Sequence, residues 1–227
     1  MTSQSRRALL GAAALLVTVL AFGCGKDSPG PGASTVSGNV STATTGLDVS
    51  LRGITVIARG SGGETSDITD SAGGFILSGA PTGEISLTFR RGSCEAALAF
   101  GGVISSSTLT ISNVSFNCPS GTATVSAGGV SEKFLGVVRG EPSSPDADMK
   151  VCTRVGSDDR SRHITPDGAS VQDQGGQPTT FSDIQKRDLL EVQGDRSGPG
   201  NSFDFHVQNI RIQQRDTQDV CNDDPFV

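Results

Sequence analysis

The chain predicts an all-β fold: a small antiparallel β-sandwich followed by a second, barrel-like β unit. Three observations carry this. Thirty glycines and ten prolines divide the sequence into short segments. Long helical stretches built from Ala, Leu, Glu and Lys are missing. Between the turns, residues alternate apolar and polar with the period of two that belongs to half-buried strands. Trp and Tyr are absent, so the cores must rest on Val, Ile, Leu and the ten Phe.

The first 34 residues stand apart from this pattern. Arg6 and Arg7 precede an uncharged run, Ala8 to Phe22. Spanning a bilayer takes ~20 apolar residues, and this run has the length and flanks of a signal-peptide core instead. It ends Leu20-Ala21-Phe22-Gly23-Cys24. That segment resembles the lipobox, the cleavage motif of bacterial lipoproteins. The resemblance implies cleavage after Gly23, diacylglycerol on the Cys24 sulfur and a third chain on the new amino group. Two or more chains anchor a protein stably. Gly25 after the cysteine resembles the sorting rule for an outer-membrane destination. Ser5-Arg6-Arg7-Ala8-Leu9-Leu10 also resembles a twin-arginine export signal, although an ordinary positive n-region accounts for both arginines. Residues 1–23 are therefore read as signal peptide. Residues 24–34, rich in Pro and Gly, are read as a flexible tether.

Residues 35–119 read as the β-sandwich. Val36–Val40, Ile54–Arg59, Phe75–Leu77 and Glu84–Arg90 are its clearest strands. Ser61-Gly62-Gly63, Asp70 to Gly74 and Pro81-Thr82-Gly83 are its turns. In Glu84–Arg90, Ile85, Leu87 and Phe89 share one face and Ser86, Thr88 and Arg90 the other. The spacings Val36-x-Gly38-x-Val40, Gly53-x-Thr55-Val56, Thr69-Asp70-x-x-Gly73-x-Phe75-x-Leu77 and Gly83-x-Ile85-x-Leu87 resemble the carboxypeptidase regulatory-like domain. That family implies a transthyretin-like sandwich without catalysis. If Ser105-Ser106-Ser107 is a hairpin turn, symmetric pairing sets Val103 opposite Leu109 and Cys94 opposite Cys118, close enough for a disulfide.

Residues 120–227 read as a second unit, with strands at Ser131–Arg139, Met149–Val155, Ala169–Gln172, Leu189–Gln193 and Phe203–Ile212. Leu189 to Gly194, a Gly-Pro-Gly turn, then Phe203 to Ile212 resemble an uncharacterised family of OB-like β-barrel domains in exported proteins. Cys152 and Cys221 remain to pair with each other. Four cysteines allow three connectivities, and pairing within each unit is the preferred one.

Chemistry is sparse. No P-loop, no G-x-S-x-G elbow, no C-x-x-C and no H-x-x-x-H pair occurs. His163 and His206 are expected to face solvent. Asp67 and Asp70, Asp158 and Asp159, and the tail residues Asp219, Asn222, Asp223 and Asp224 are rich in oxygen ligands. They lack the calcium-loop spacing and suit turns. No catalytic residue, metal or cofactor is expected. Losing Arg6 and Arg7 takes the net charge from −6 to −8, which argues against a nucleic-acid partner. The leading expectation is a non-catalytic envelope lipoprotein with a structural or interaction role. It meets membrane lipid through acylated Cys24, at the outer membrane, with an envelope protein or glycan as partner. An extracellular module binding a glycan or peptide is the alternative, and an unrecognised hydrolase using His163 or His206 comes last. Intact mass of the membrane-extracted protein is expected to equal residues 24–227 plus acyl chains, and Cys24→Ala is expected to abolish that species.

Overall fold

The computed structural model describes residues 34–44, 50–140, 144–145, 149–155, 158–200 and 204–217, and for 154–155 and 158–161 the backbone only. Fifteen strands follow one another: β1 (Ser34–Thr44), β2 (Thr55–Gly60), β3 (Gly63–Ile68), β4 (Gly74–Ala80), β5 (Gly83–Arg91), β6 (Cys94–Val103), β7 (Thr108–Asn117), β8 (Thr122–Val125), β9 (Val130–Arg139), β10 (Met149–Val155), β11 (Asp158–Ile164), β12 (Ser170–Gln172), β13 (Pro178–Thr179), β14 (Leu189–Arg196) and β15 (Phe205–Gln214). The fold is all-β, as expected, apart from one 3-10 turn at Phe181–Asp183.

Eleven strands form one sheet, whose main path runs β13-β12-β15-β14-β9-β7-β1-β4. A four-stranded sheet, β3-β2-β5-β6, packs over its β4-β1-β7 end. Ile85, Leu87 and Phe89 of β5 are buried between the sheets, where the alternation put them. Phe75 of β4 meets the Phe89 ring edge-on at 6.0 Å, and Phe89 lies 6.4 Å from Phe116 of β7. Three Phe thus join the layers, the role that Trp or Tyr often shares. Gly38 belongs to the same packing. A Cβ there would sit 2.1 Å from the Ile111 carbonyl oxygen and 2.9 Å from the Phe75 ring, so the Val36-x-Gly38-x-Val40 spacing makes room for that ring. Phe205 lies over Gly194 in the same way, 2.8 Å from where a Cβ would be.

Both edges of the sandwich are closed. On one side β3 lies beside β4. There the Ile76 amide donates to Asp67 Oδ2 at 2.8 Å and the Thr65 hydroxyl to the Ser78 carbonyl at 3.2 Å. Side chains thereby cap an edge that would otherwise offer unpaired backbone. On the other side Cys94 and Cys118 form a disulfide with Cα atoms 5.2 Å apart. The expected pair is formed, but not across a hairpin. β6 pairs with β5 and β7 with β1, β8 and β9, so the bond joins the two sheets. The reason lies between the strands. Ser105 and Ser107 are buried, the Ser107 hydroxyl donates to the Ile104 carbonyl at 2.6 Å, and Ile104 enters the second core. The segment still turns, with the Ser107 amide donating to the Ile104 carbonyl at 3.3 Å and Ser106 exposed, but the turn carries the chain from one sheet to the other.

Other differences have physical causes. β3 and β11 read GETSDI and DDRSRHI, with almost no apolar residue to mark a strand. β1 pairs parallel with β7 while pairing antiparallel with β4, so the sandwich is mixed. β7 pairs with the first half of β9 (Thr108↔Lys133, Ile111↔Val130) and β14 with Ser131–Val137 of it. One sheet therefore runs from the first core, which includes Val130, into the second, which includes Ile104 and Phe134.

Two outcomes follow. Replacing Cys94 and Cys118 together by Ala should lower stability by about 3 kcal/mol, the entropy of closing a loop of that length. Hydrogen exchange should show amides of β7 and β14 losing protection in one cooperative opening, because β9 belongs to both neighbourhoods. Separate openings would contradict the shared sheet.

Candidate functional site

Alternation along β9 places Glu132 in phase with Val130 and Phe134, on the buried face. Along β14 it places Arg196 in phase with Leu190 and Val192. Both side chains are 0% exposed, and they meet at the seam between the cores. Glu132 Oε2 lies 3.5 Å from Arg196 Nη1 and accepts from Arg162 Nη1 at 2.9 Å. Arg162, on β11 with its side chain 12% exposed, is held over the rings of Phe134 and Phe205 at 5.0 and 5.1 Å. Such cation–π contacts favour a desolvated guanidinium.

Each arginine also reaches into the sandwich. Arg196 Nη2 donates to the Gly101 carbonyl and Arg162 Nη2 to the Gly102 carbonyl at 3.0 Å. These carbonyls are presented by a bulge near the end of β6, where Gly102 takes φ +61° and the register with β5 shifts. The β14–β15 loop adds two backbone bonds, Gly101 N to Gly200 O at 2.9 Å and Gly200 N to Ala99 O at 2.7 Å. Burial pushes the Arg196 guanidinium down to about 10; Glu132 opposes that shift and Arg162 adds to it. The three charges bind the two cores together.

One concavity adjoins this seam through Arg162, and another lies away along β4. A cleft of about 580 Å³ opens between β11 and β15, lined by Arg162, His163, Thr165, Asp167, Asp204, Phe205, His206 and Val207. It brings together both histidines of the chain, each exposed as expected. Among the described residues no serine lines it, and no three His, Cys, Asp or Glu side chains are grouped to hold a metal ion. The larger concavity, about 1030 Å³, is a groove along β4. Ser37 and Asn39 of β1, Thr110 and Ser112 of β7, and Thr65, Asp67 and Ile68 of β3 line it with Ile76 and Ser78 of β4. Ile68 and Ile76 are each 63% exposed.

The oxygen-rich positions serve the backbone. Asp70 Oδ1 accepts from the Ala72 and Gly74 amides, both at 2.8 Å, and Asp67 Oδ1 from Ile68 at 2.8 Å. Asp70 thus builds the turn its sequence context implied, whereas Asp67 lies in β3 and caps the edge of β4. Cys152 is buried on β10. Cys24, Cys221 and the acidic tail residues 219–224 lie outside the described residues, as do the side chains of Asp158 and Asp159. The Glu132, Arg162 and Arg196 cluster was missed at the sequence level; phase along Ser131–Arg139 is the signal that could have marked Glu132 as inward, whereas Arg196 lies beyond the expected strand end at Gln193.

Comparison with known proteins adds little. No family model matches the chain, and no curated protein matches it. A crystal structure from Bacteroides uniformis, of a "putative carbohydrate binding protein", is similar at a TM-score of 0.26 and 11% identity, covering 80% of this chain and 98% of that one.

Glu132→Gln should cost about 3–5 kcal/mol at pH 7, because it leaves two arginines at the seam without their carboxylate. Pairing Glu132→Leu with Arg196→Met should recover most of that loss, since well-packed apolar replacements of buried ion pairs are often neutral. Below pH 10 Arg196 is charged both folded and unfolded. Its burial cost is then constant, and it is relieved only as pH rises from about 10 toward the ordinary guanidinium value. Denaturation between pH 5 and 9 should give the same pH slope for the wild type and Arg196→Met.

Proposed function

We propose that this chain is a non-catalytic envelope lipoprotein, anchored through acylated Cys24 with its β units outside the cytoplasm, and that its groove along β4 binds an extracellular ligand. The observation that carries the binding role is the groove itself. Its side chains project from three regular strands of one sheet (β1, β4 and β7) and from the neighbouring β3. A rigid scaffold of this kind holds polar groups in fixed positions, which ligand recognition needs. Hydroxyl and amide groups of Ser37, Asn39, Thr110 and Ser112 offer hydrogen bonds, while Ile68 and Ile76 offer apolar contact. Anchoring rests on the Leu20 to Cys24 motif. The acidic chain would not hold to anionic lipid by charge, so the anchor would be covalent.

Ser37→Arg tests the groove by filling it. Screened on arrays of envelope and extracellular glycans and peptides, the full mature chain is expected to retain a ligand that Ser37→Arg loses at least tenfold. Equal retention by both proteins would remove the groove from the account.

A further inference from the structure

The outward face of the large sheet continues the groove floor across the whole molecule, in register. Thr35 of β1 pairs with Ser78 of β4 and with Thr108 of β7. Thr108 pairs with Lys133 of β9, and Lys133 with Gln193 of β14. Gln193 pairs with Asn209 of β15, and Asn209 with Ser170 of β12. Seven strands thus contribute one polar residue each to a single transverse row. At ~4.8 Å between strands the row is about 29 Å long. A second row lies about 7 Å away. It runs Ile76–Ser37–Thr110–Ser131–Asp195–His206 through the same pairings. Ser37, Thr110, Ile76 and Ser78 also line the groove, so groove and rows are continuous.

We infer that this strip binds an extended, uncharged glycan chain laid across the strands, with one end seated in the groove. The inference rests on the groove reading and specifies its ligand. Charge is the first reason. The two rows hold one cation, Lys133, and one carboxylate, Asp195, and the groove's Asp67 and Asp70 are already bonded to backbone amides. Lys133 lies 3.5 Å from Glu191, Asp195 accepts from Gln208, and Arg211 donates to the Gln174 carbonyl at 3.3 Å. The face therefore complements a neutral ligand better than an acidic or basic one. The second reason is chemical. Hydroxyl and amide side chains both donate and accept, as sugar hydroxyls do. Backbone groups of the interior strands are used within the ladder, so a peptide has no strand edge to extend there. Length is the third. Neither row contains a Phe, and the chain has no Trp or Tyr on which to stack a pyranose. Each sugar then gains only a few modest hydrogen bonds, and useful affinity requires many at once.

Length dependence is the test. Neutral glucan, mannan and galactan oligosaccharides, from disaccharide to octasaccharide, are titrated calorimetrically into the full mature chain, with polygalacturonate as the acidic comparison. At least one neutral series is expected to gain affinity with each added sugar until the ligand spans the sheet. Gln193→Ala, beyond the groove, should weaken the octasaccharide roughly fivefold, the worth of one neutral hydrogen bond, and flatten the length dependence past β14. Equal affinity for short and long ligands, or no effect of Gln193→Ala on the octasaccharide, would overturn the extended strip. The groove reading would survive if Ser37→Arg still abolished binding. Binding of polygalacturonate alone, or of no neutral series, would overturn the ligand class.

Discussion

The structure depends on a carboxylate placed where strand alternation allows only a buried side chain. Glu132 lies on β9, which pairs with β7 on one side and with β14 on the other. A lone buried carboxylate there would be costly. Arg162 and Arg196 offset that cost, and each sends another donor to a carbonyl in the Gly101–Gly102 bulge. Charge neutralisation and attachment of the two cores are thus one arrangement. The bulge matters as much as the charges, since a regular β6 would keep those carbonyls within its ladder.

The attachment gives the outer face its continuity. Two β units joined by a loose linker would each present a short polar sheet face at a variable angle. Here β9 belongs to both neighbourhoods, and the β14–β15 loop is bonded to β6. Rows of side chains on β4, β1 and β7 therefore continue in register onto β14 and β15. A ligand that gains little per contact benefits from such fixed spacing, because little conformational freedom is lost when contacts are made together.

Much of this could be read from residues, and the exceptions have reasons. The all-β class, the turns at Ser61–Gly63, Asp70–Gly74 and Pro81–Gly83 and the inward set Ile85, Leu87 and Phe89 were legible because turn chemistry and period-two alternation are local signals. The Cys94–Cys118 pair was legible, although the bond joins two sheets and not the strands of a hairpin. A hairpin and a crossing between sheets can bring the same two residues together, and sequence spacing does not separate them. β3 and β11 were illegible because they lack an apolar face. The charged seam was barely legible: Glu132 falls within the expected strand Ser131–Arg139, but Arg196 lies past the expected strand end at Gln193 and Arg162 arrives from a strand the sequence did not reveal. The polar rows were not legible at all, since each depends on register among strands distant in sequence.

The central claim is that the outward face of the long sheet is a binding surface running from β4 to β12. It is tested most directly by recording amide and threonine-methyl chemical shifts of the labelled mature chain while a neutral oligosaccharide is added. The account predicts perturbations at Thr35, Thr108 and Thr110 that extend to Gln193 and Asn209. Perturbations confined to His163, Thr165 and Asp167 in the cleft between β11 and β15, or absent from the sheet face, would contradict it.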